Sequence, residues 1–204
     1  MNDAPWVLYG APGSGSDAVV MALRACGLRH RLVLAATWEP GEGLDALRRI
    51  NPLGQVPTLQ LPDGTVLSES AAILIHLGLQ FPAAGLLPAD PGRRAQTLRG
   101  LVFIAANCYP TVSISDYPER WTTATSVSAQ AKVRAAARAQ LHRAWDIFAE
   151  QFSALLDEEP PGALAMLAVV VSRWSGTRAH LKRTRPAMHQ ALTALAEHPR
   201  LQLP

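Results

Sequence analysis

A short polar segment in the first half of the chain has residue types suited to binding a carboxylate. Ser68, Glu69 and Ser70 come directly before an apolar segment that extends to Leu79 and is predicted to be helical. Free N–H groups and the helix dipole favour a carboxylate at such a position, and Ser68 is a good N-cap. The alternative is an ordinary capping sequence in which the acidic side chain stabilises the dipole. The segment is therefore a candidate carboxylate site.

Hydroxyl groups near the end of the first predicted strand form a second candidate group. Ser14 and Ser16 lie in a glycine-rich loop before the first predicted helix, and Tyr9 lies within the strand. A hydroxyl hydrogen bond at a helix N-terminus would stabilise an anion. The segment Ser14–Asp17 also has the form of an N-cap followed by an acid, which is the structural alternative. Tyr9 is more consistent with packing in the core.

The composition favours a folded protein with a substantial core. Of the 204 residues, 49% are apolar and 17% are charged, which argues against disorder and against a disulfide scaffold. The net charge of +3 is too small to indicate a nucleic-acid-binding protein. Residues 1–82 hold 5 Arg against 7 Asp or Glu (net −2), and residues 83–204 hold 14 Lys or Arg against 9 (net +5). This change of composition indicates two parts.

Cysteine and histidine spacing gives no sign of a metal or a dithiol site. Cys26 and Cys108 are far apart and form no CxxC pair, and the histidines lack HxxxH spacing. The N-terminal residues show no signal peptide, and the longest apolar run, Leu164 to Val171, is too short to span a bilayer. We therefore expect no metal, no membrane insertion and a reducing, cytoplasmic location.

The elements that must position these residues begin with a βαβαββα pattern. Apolar periodicity and Gly, Pro and Asp-Gly turn signals predict, in order, a strand at 6–9, a helix at 17–26, a strand at 30–34, a helix at 44–50, strands at 56–61 and from 66, and a helix to Leu79. This is the pattern of an α/β thioredoxin-like domain. We place it at residues 1–82, before the Pro/Ala/Gly-rich connection 83–91.

The remainder, residues 92–204, is predicted to be an all-α domain. Helices are expected at 93–107, 128–156, 163–173 and 186–197. The third of these is apolar on all sides and should be buried. Tyr109-Pro110 should bend or end the first of them because proline cannot continue a helix.

Two motifs resemble those of the cytosolic glutathione S-transferase superfamily. The stretch Asn51 to Leu59 matches NPxGxVPxL, and Leu67 to Ile73 contains the Glu-Ser-Ala-x-Ile pattern at the expected separation. The resemblance covers nearly the whole chain and includes the two-domain order. It implies a dimeric enzyme that uses glutathione as co-substrate, and a small electrophile as the second substrate. We accordingly expect a homodimer, with no nucleic acid or membrane as partner.

The resemblance also implies which residues bind glutathione. Pro57 would follow a cis peptide bond, because the free-energy cost of the cis form is small only at an X–Pro bond. The backbone of Val56 would then pair with the cysteinyl unit as an added strand does. Ser70 would hold the γ-glutamyl carboxylate and Glu69 would face the ammonium group. Further candidates are Gln55, for the glycyl end or as a solvated turn residue, and Trp38, for the same end or as a packing residue.

The residue that activates the thiol is where the chain departs from the family. Relatives use a Tyr, Ser or Cys near the end of the first strand, and the corresponding positions here are Gly13 and Gly15. Three alternatives remain: Ser14 as donor, Ser16 as donor, or backbone N–H groups without any side chain. Neither cysteine is placed to serve, which argues against a thioltransferase.

The electrophile site should be built by the helical domain. Asn107, Tyr109 and Trp121 are the candidate substrate-binding residues, each with core packing as the alternative. Arg178 and His180 form either an anion site or, more plainly, an exposed helix end. The leading function is glutathione transfer to small, mostly apolar electrophiles. A non-enzymatic glutathione- or protein-binding module is the alternative, as is a glutathione-dependent isomerase, dehalogenase or lyase.

A last expectation concerns stability. The resemblance implies a Ser/Thr-x-x-Asp capping box at the start of the buried helix, where this chain has Gly162 and Ala165. Loss of such a cap costs about 1 kcal/mol. Gly162→Ser with Ala165→Asp is therefore expected to raise the melting temperature.

Overall fold

A computed structural model describes residues 5–203. Its first part is a four-stranded mixed sheet with helices on both faces. The elements are β1 (Trp6–Gly10), α1 (Ser16–Ala25), β2 (His30–Leu34), α2 (Glu42–Ile50), β3 (Thr58–Gln60), β4 (Val66–Ser68) and α3 (Ser70–Gln80). The strand order is β2-β1-β3-β4, with β2 parallel to β1 and β3 antiparallel to both its neighbours. The predicted α/β thioredoxin-like pattern is confirmed.

Alternation along β1 divides the residues between two layers. Leu8 is fully buried and pairs with Leu59 of β3, on the side packed by α1 and α3. Val7 and Tyr9 point to the opposite face, where they meet Leu44 and Leu47 of α2. Successive side chains of a strand alternate between faces, so the short apolar run covers both helical layers. Tyr9 is therefore a core residue.

The second part is a helical domain built around one buried helix. Its helices are α4 (Pro91–Phe103), α5 (Tyr109–Asp116), α6 (Val127–Phe152), α7 (Ala163–Val171), α8 (Thr177–Thr184) and α9 (Pro186–Glu197). All nine residues of α7 are buried, as its apolar sequence predicts. Both α1 and α3 pack against α7, so one continuous apolar core joins the two parts.

One local prediction is wrong, and two helices, α5 and α8, were not predicted. Ser68 ends β4 and does not cap α3; Glu69 is the N-cap, and no side chain among residues 5–203 caps this helix. A π-helical turn (Ile104–Cys108) separates α4 from α5, so Tyr109-Pro110 begins a new helix. Proline is accepted there because its missing N–H would have no partner in a first turn. The segment containing Arg178 and His180, which sequence reasoning did not resolve, is α8.

At the start of α7, a backbone carbonyl from another segment takes the place of a side-chain cap. The N–H of Ala163 donates to the carbonyl of Leu86 (2.9 Å), and no side chain of the described residues caps the helix. A Cβ on Gly162 would lie 2.7 Å from that carbonyl oxygen. Ala165 is buried, so a carboxylate there would lack solvent. The proposed capping substitutions therefore do not fit this site, although the missing side-chain cap was predicted correctly.

Gly162→Ser is now expected to lower stability. The new Cβ meets backbone that cannot move as a flexible side chain does, and overpacking of this kind costs about 1–3 kcal/mol. Urea unfolding followed by circular dichroism measures the effect. Gly41→Ser is the control, because a Cβ on Gly41 meets nothing within 4 Å. A Gly162→Ser midpoint at or above that of the wild type would contradict the expectation.

In the described part of the chain, residues 5–203, no helix is both long enough and apolar enough to cross a membrane.

Candidate functional site

A cleft of about 450 Å³ lies between the sheet domain and the start of α5. One wall comes from the segments before β3 and at the N-terminus of α3, and the other from the first half of α5 and the turn after it. The cleft is lined by Thr37, Gln55, Val56, Pro57, Ser68, Glu69, Ser70, Ala105, Tyr109, Pro110, Ser113 and Trp121. The two motifs singled out in the sequence thus meet on one surface.

The segment before β3 presents unpaired backbone to this cleft. The Val56–Pro57 peptide bond is cis. Asn51 and Thr58 both hydrogen-bond to the carbonyl of Gln55 (3.2 and 2.9 Å), which holds the turn in place. Within residues 5–203 the N–H and C=O of Val56 have no hydrogen-bond partner. Both groups are therefore available to pair with the backbone of a ligand.

The N-terminus of α3 supplies hydrogen-bond donors to the same cleft. Since no described side chain caps this helix, the N–H groups of its first turn lack partners within the helix. Glu69 has φ 65°, one of only two such non-glycine residues in the described chain. A side chain in this left-handed region costs free energy, and such strain clusters at functional sites. The arrangement suits a ligand that carries both a carboxylate and an ammonium group.

The loop before α1 uses its two serine hydroxyls internally. Ser14 Oγ donates to the carbonyl of Ala11 (2.6 Å) and lies 2.8 Å from Ser16 Oγ. Because the Ser14 proton points to Ala11, the Ser16 proton must point to Ser14. Ser16 is almost fully buried, and its oxygen accepts from the N–H of Ala11 (3.3 Å). Neither hydroxyl has a proton left for a ligand.

The same loop is held by a buried carboxylate and by the helical domain. Asp17 accepts hydrogen bonds from the N–H of Gly13 (3.2 and 3.3 Å), and burial raises the pKa of this carboxyl. Trp174 Nε1 donates to the carbonyl of Gly13 (3.2 Å). The loop geometry therefore depends on the turn after α7.

The remaining predicted residues divide between the cleft and its surroundings. Tyr109 and Trp121 line the cleft, and Trp121 is 56% exposed. Asn107 is exposed, and its amide donates to the carbonyl of Phe103 (3.1 Å), away from this cleft. Trp38 is 52% exposed and is not among the residues lining the cleft, where its neighbour Thr37 takes that place.

Neither cysteine resembles a reactive thiol. Cys108 is fully buried, and burial raises its pKa to about 12. Burial also raises the pKa of Cys26. Reactive cysteines need a lowered pKa and access to solvent. Both thiols are free, and neither is among the residues that line the cleft.

Comparison with known proteins agrees with this architecture. Residues 16–80 match the model of the glutathione S-transferase N-terminal domain. The chain superposes over 97% of its length, with a TM-score of 0.79 and 23% identity, on a glutathione transferase homologue from Sulfitobacter solved with bound glutathione, covering 95% of that chain. Residues 16–80 therefore belong to the N-terminal domain family of the glutathione S-transferase superfamily, and the chain as a whole has the fold of that superfamily. At this identity the superposition by itself shows only the fold.

Two curated relatives in this superfamily come from Escherichia coli. The chain is 35% identical over 115 residues to the uncharacterised GST-like protein YncG of strain K12, covering 56% of each chain. It is 36% identical over 104 residues to glutathione S-transferase GstA of strain O157:H7, covering 50% of this chain and 52% of GstA. The matches span only about half the length of these relatives.

Proposed function

We propose that the protein binds glutathione in this cleft and transfers its thiolate to small, mostly apolar electrophiles. The observation that carries the proposal is the meeting of unpaired Val56 backbone and the uncapped N-terminus of α3 on one wall of a cleft. The cysteinyl backbone of the tripeptide would pair with Val56, as an added strand does. Its γ-glutamyl carboxylate would accept from the N–H of Ser70 and from the Ser70 hydroxyl. The proton of this hydroxyl points to Tyr109 Oη (3.3 Å) in the free protein and would turn to the bound carboxylate.

Charge supports this orientation of the tripeptide. The carboxylate would sit at the positive end of the α3 dipole, and Glu69 would face the neighbouring ammonium group. Gln55 also lines the cleft, and its side-chain amide could donate to the glycyl carboxylate. The match of residues 16–80 to the N-terminal domain of the glutathione S-transferase superfamily, which includes GstA, supports the same assignment.

The proposed reaction begins with loss of the thiol proton to solvent. A free thiol has a pKa of about 8.5, so the site must stabilise the anion for reaction at neutral pH. The thiolate sulfur then attacks an electrophilic carbon: a C–S bond forms, and the leaving group departs with the electrons of its bond. Trp121 and the first half of α5 supply the surface on which the electrophile would lie.

Retention on glutathione-agarose, combined with turnover of an activated aryl halide, tests the proposal. Retention with turnover is the expected result. Retention without turnover of several electrophile classes would favour a binding module, the alternative left open by Gly13 and Gly15. Failure of the protein to bind immobilised or free glutathione would reject the proposal altogether.

A homodimer and a cytoplasmic location remain predictions that accompany this function. By resemblance to the superfamily, we expect two copies of this chain to pair through the sheet domain and the first helices of the second domain. Light scattering of the purified chain measures the oligomeric state directly, and a mass of one chain at micromolar concentration would contradict the dimer.

A further inference from the structure

The hydroxyl of Tyr109 occupies the space that a side chain at position 15 would fill. A Cβ built on Gly15 would lie 2.5 Å from Tyr109 Oη and 3.3 Å from Pro57 Cδ. The family resemblance implies that position 15 carries the thiol-activating side chain in cysteine-type relatives. Because glycine has no side chain, a tyrosine from the second domain reaches the same point.

We propose that Tyr109, and not a side chain of the first domain, donates the hydrogen bond that stabilises the glutathione thiolate. This inference rests on the proposed function and names the catalytic group within it. It assigns to a residue of α5 the part that Ser14 and Ser16 were predicted to play.

The hydrogen-bond pattern leaves the Tyr109 proton available. Ser70 Oγ donates to Tyr109 Oη (3.3 Å), so the phenol oxygen acts as acceptor in this contact. Within residues 5–203, Tyr109 Oη makes no other hydrogen bond. The phenol therefore keeps its own proton for a ligand atom, in contrast to the two serines of the loop. It also keeps this proton when the Ser70 hydroxyl turns from Tyr109 to a bound carboxylate.

The position of this proton fits the cysteinyl unit of the tripeptide. Cysteine is the central residue of glutathione, so its side chain must lie between the carboxylate anchor at Ser70 and the backbone anchor at Val56. Tyr109 Oη touches Ser70 and lies beside Pro57, between these two anchors. A sulfur atom projecting from that backbone would meet the hydroxyl and the N-terminal end of α1.

Packing around the ring holds the hydroxyl in place. The Tyr109 ring packs edge-on against Trp174, with centroids 5.5 Å apart, and Trp174 itself donates to Gly13. Tyr109 is the first residue of α5 and directly follows the π-helical turn. Burial raises the pKa of Tyr109 to about 12, so the phenol stays protonated and acts as a donor at neutral pH.

The chemistry requires no proton transfer from the tyrosine. The thiol proton leaves to solvent, and the phenol donates a hydrogen bond to the sulfur anion while retaining its own proton. Hydrogen bonds to an ionised partner are about twice as strong as neutral ones, so they favour the thiolate over the thiol. The expected consequence is a lowered pKa of the bound thiol.

Titration of bound glutathione tests the assignment, with thiolate ultraviolet absorbance as the readout. In Tyr109→Phe the pKa of the bound thiol is expected to rise by about 1 unit or more relative to the wild type. The Kd for glutathione should change less than about threefold, because both anchors remain. Tyr117→Phe is the matched control: it removes a phenol hydroxyl from the end of α5, outside the cleft lining, and should titrate as the wild type does.

Two variants at position 15 provide independent tests. Gly15→Ala keeps Tyr109 but displaces its hydroxyl, so the thiol pKa should rise as in Tyr109→Phe. Gly15→Ser combined with Tyr109→Phe returns a hydroxyl to the same point. It should reverse at least half of the rise in the thiol pKa that Tyr109→Phe alone produces. Gly15→Ala, which keeps the tyrosine, also tests the assignment if Tyr109→Phe folds poorly.

The outcomes separate this inference from the proposed function. A wild-type protein that fails to bind glutathione would remove both. Glutathione binding with an unshifted thiol pKa in Tyr109→Phe and in Gly15→Ala would overturn the role of Tyr109 alone. A raised pKa in Ser14→Ala, with none in Tyr109→Phe, would return the role to the first domain.

Discussion

Ser70→Ala is expected to weaken glutathione binding roughly ten- to a hundredfold. The substitution removes the hydroxyl that lines the cleft at the N-terminus of α3 and that would donate to the γ-glutamyl carboxylate. A hydrogen bond to a charged group contributes about 1.5–3 kcal/mol, which corresponds to this range of Kd. Isothermal titration calorimetry with reduced glutathione measures the change.

Ser113→Ala is the matched control for this measurement. Ser113 lines the opposite wall of the cleft, on α5, and contributes to neither proposed anchor. Its replacement should change the Kd less than about twofold. Equal affinities for the two variants would place the carboxylate elsewhere, and equal melting temperatures would show that Ser70→Ala acts on binding and not on folding.

Phe148→Ala is expected to lower the free energy of unfolding by about 3–5 kcal/mol. Phe148 is fully buried on α6, with its ring centroid 5.1 Å from those of both Trp145 and Phe152. Truncation removes the ring and leaves a cavity inside close-packed aromatic residues, which relax only in part. Chemical denaturation monitored by circular dichroism gives the free-energy difference.

Val127→Ala is the control on the same helix. Val127 begins α6 and is 83% exposed, so its truncation should change stability by less than about 0.5 kcal/mol. A Phe148→Ala variant as stable as this control would show that the aromatic cluster does not hold the helical domain together.

Much of the fold was predictable because its signals are local. The apolar run of β1, the Gly27 helix end and the Asp63-Gly64 hairpin place elements within a few residues of where the structure has them. The entirely apolar α7 was predictable as a buried helix for the same reason. Some predicted boundaries differ from those in the structure. The strand predicted at 56–61 begins only at Thr58, because the preceding residues turn away from the sheet.

The candidate glutathione residues were predictable for a different reason. Gln55, Val56, Pro57, Glu69 and Ser70 belong to two short motifs, and the structure brings them to one cleft. Their role in binding stays a prediction until glutathione is titrated. Asn107 and Trp38, chosen by position alone, lie outside the lining of this cleft, because neither helix rotation nor loop path can be derived from spacing.

By itself, the sequence determined the order of strands and helices in the sheet domain, the buried character of α7 and the glycines where a reactive side chain was expected. Only the tertiary structure decided what fills those gaps: Tyr109 above Gly15, and the Leu86 carbonyl at the start of α7. Periodicity and turn chemistry act between neighbours along the chain. The contacts of Tyr109 and Leu86 join distant segments, whose relative placement is set by packing of the shared core.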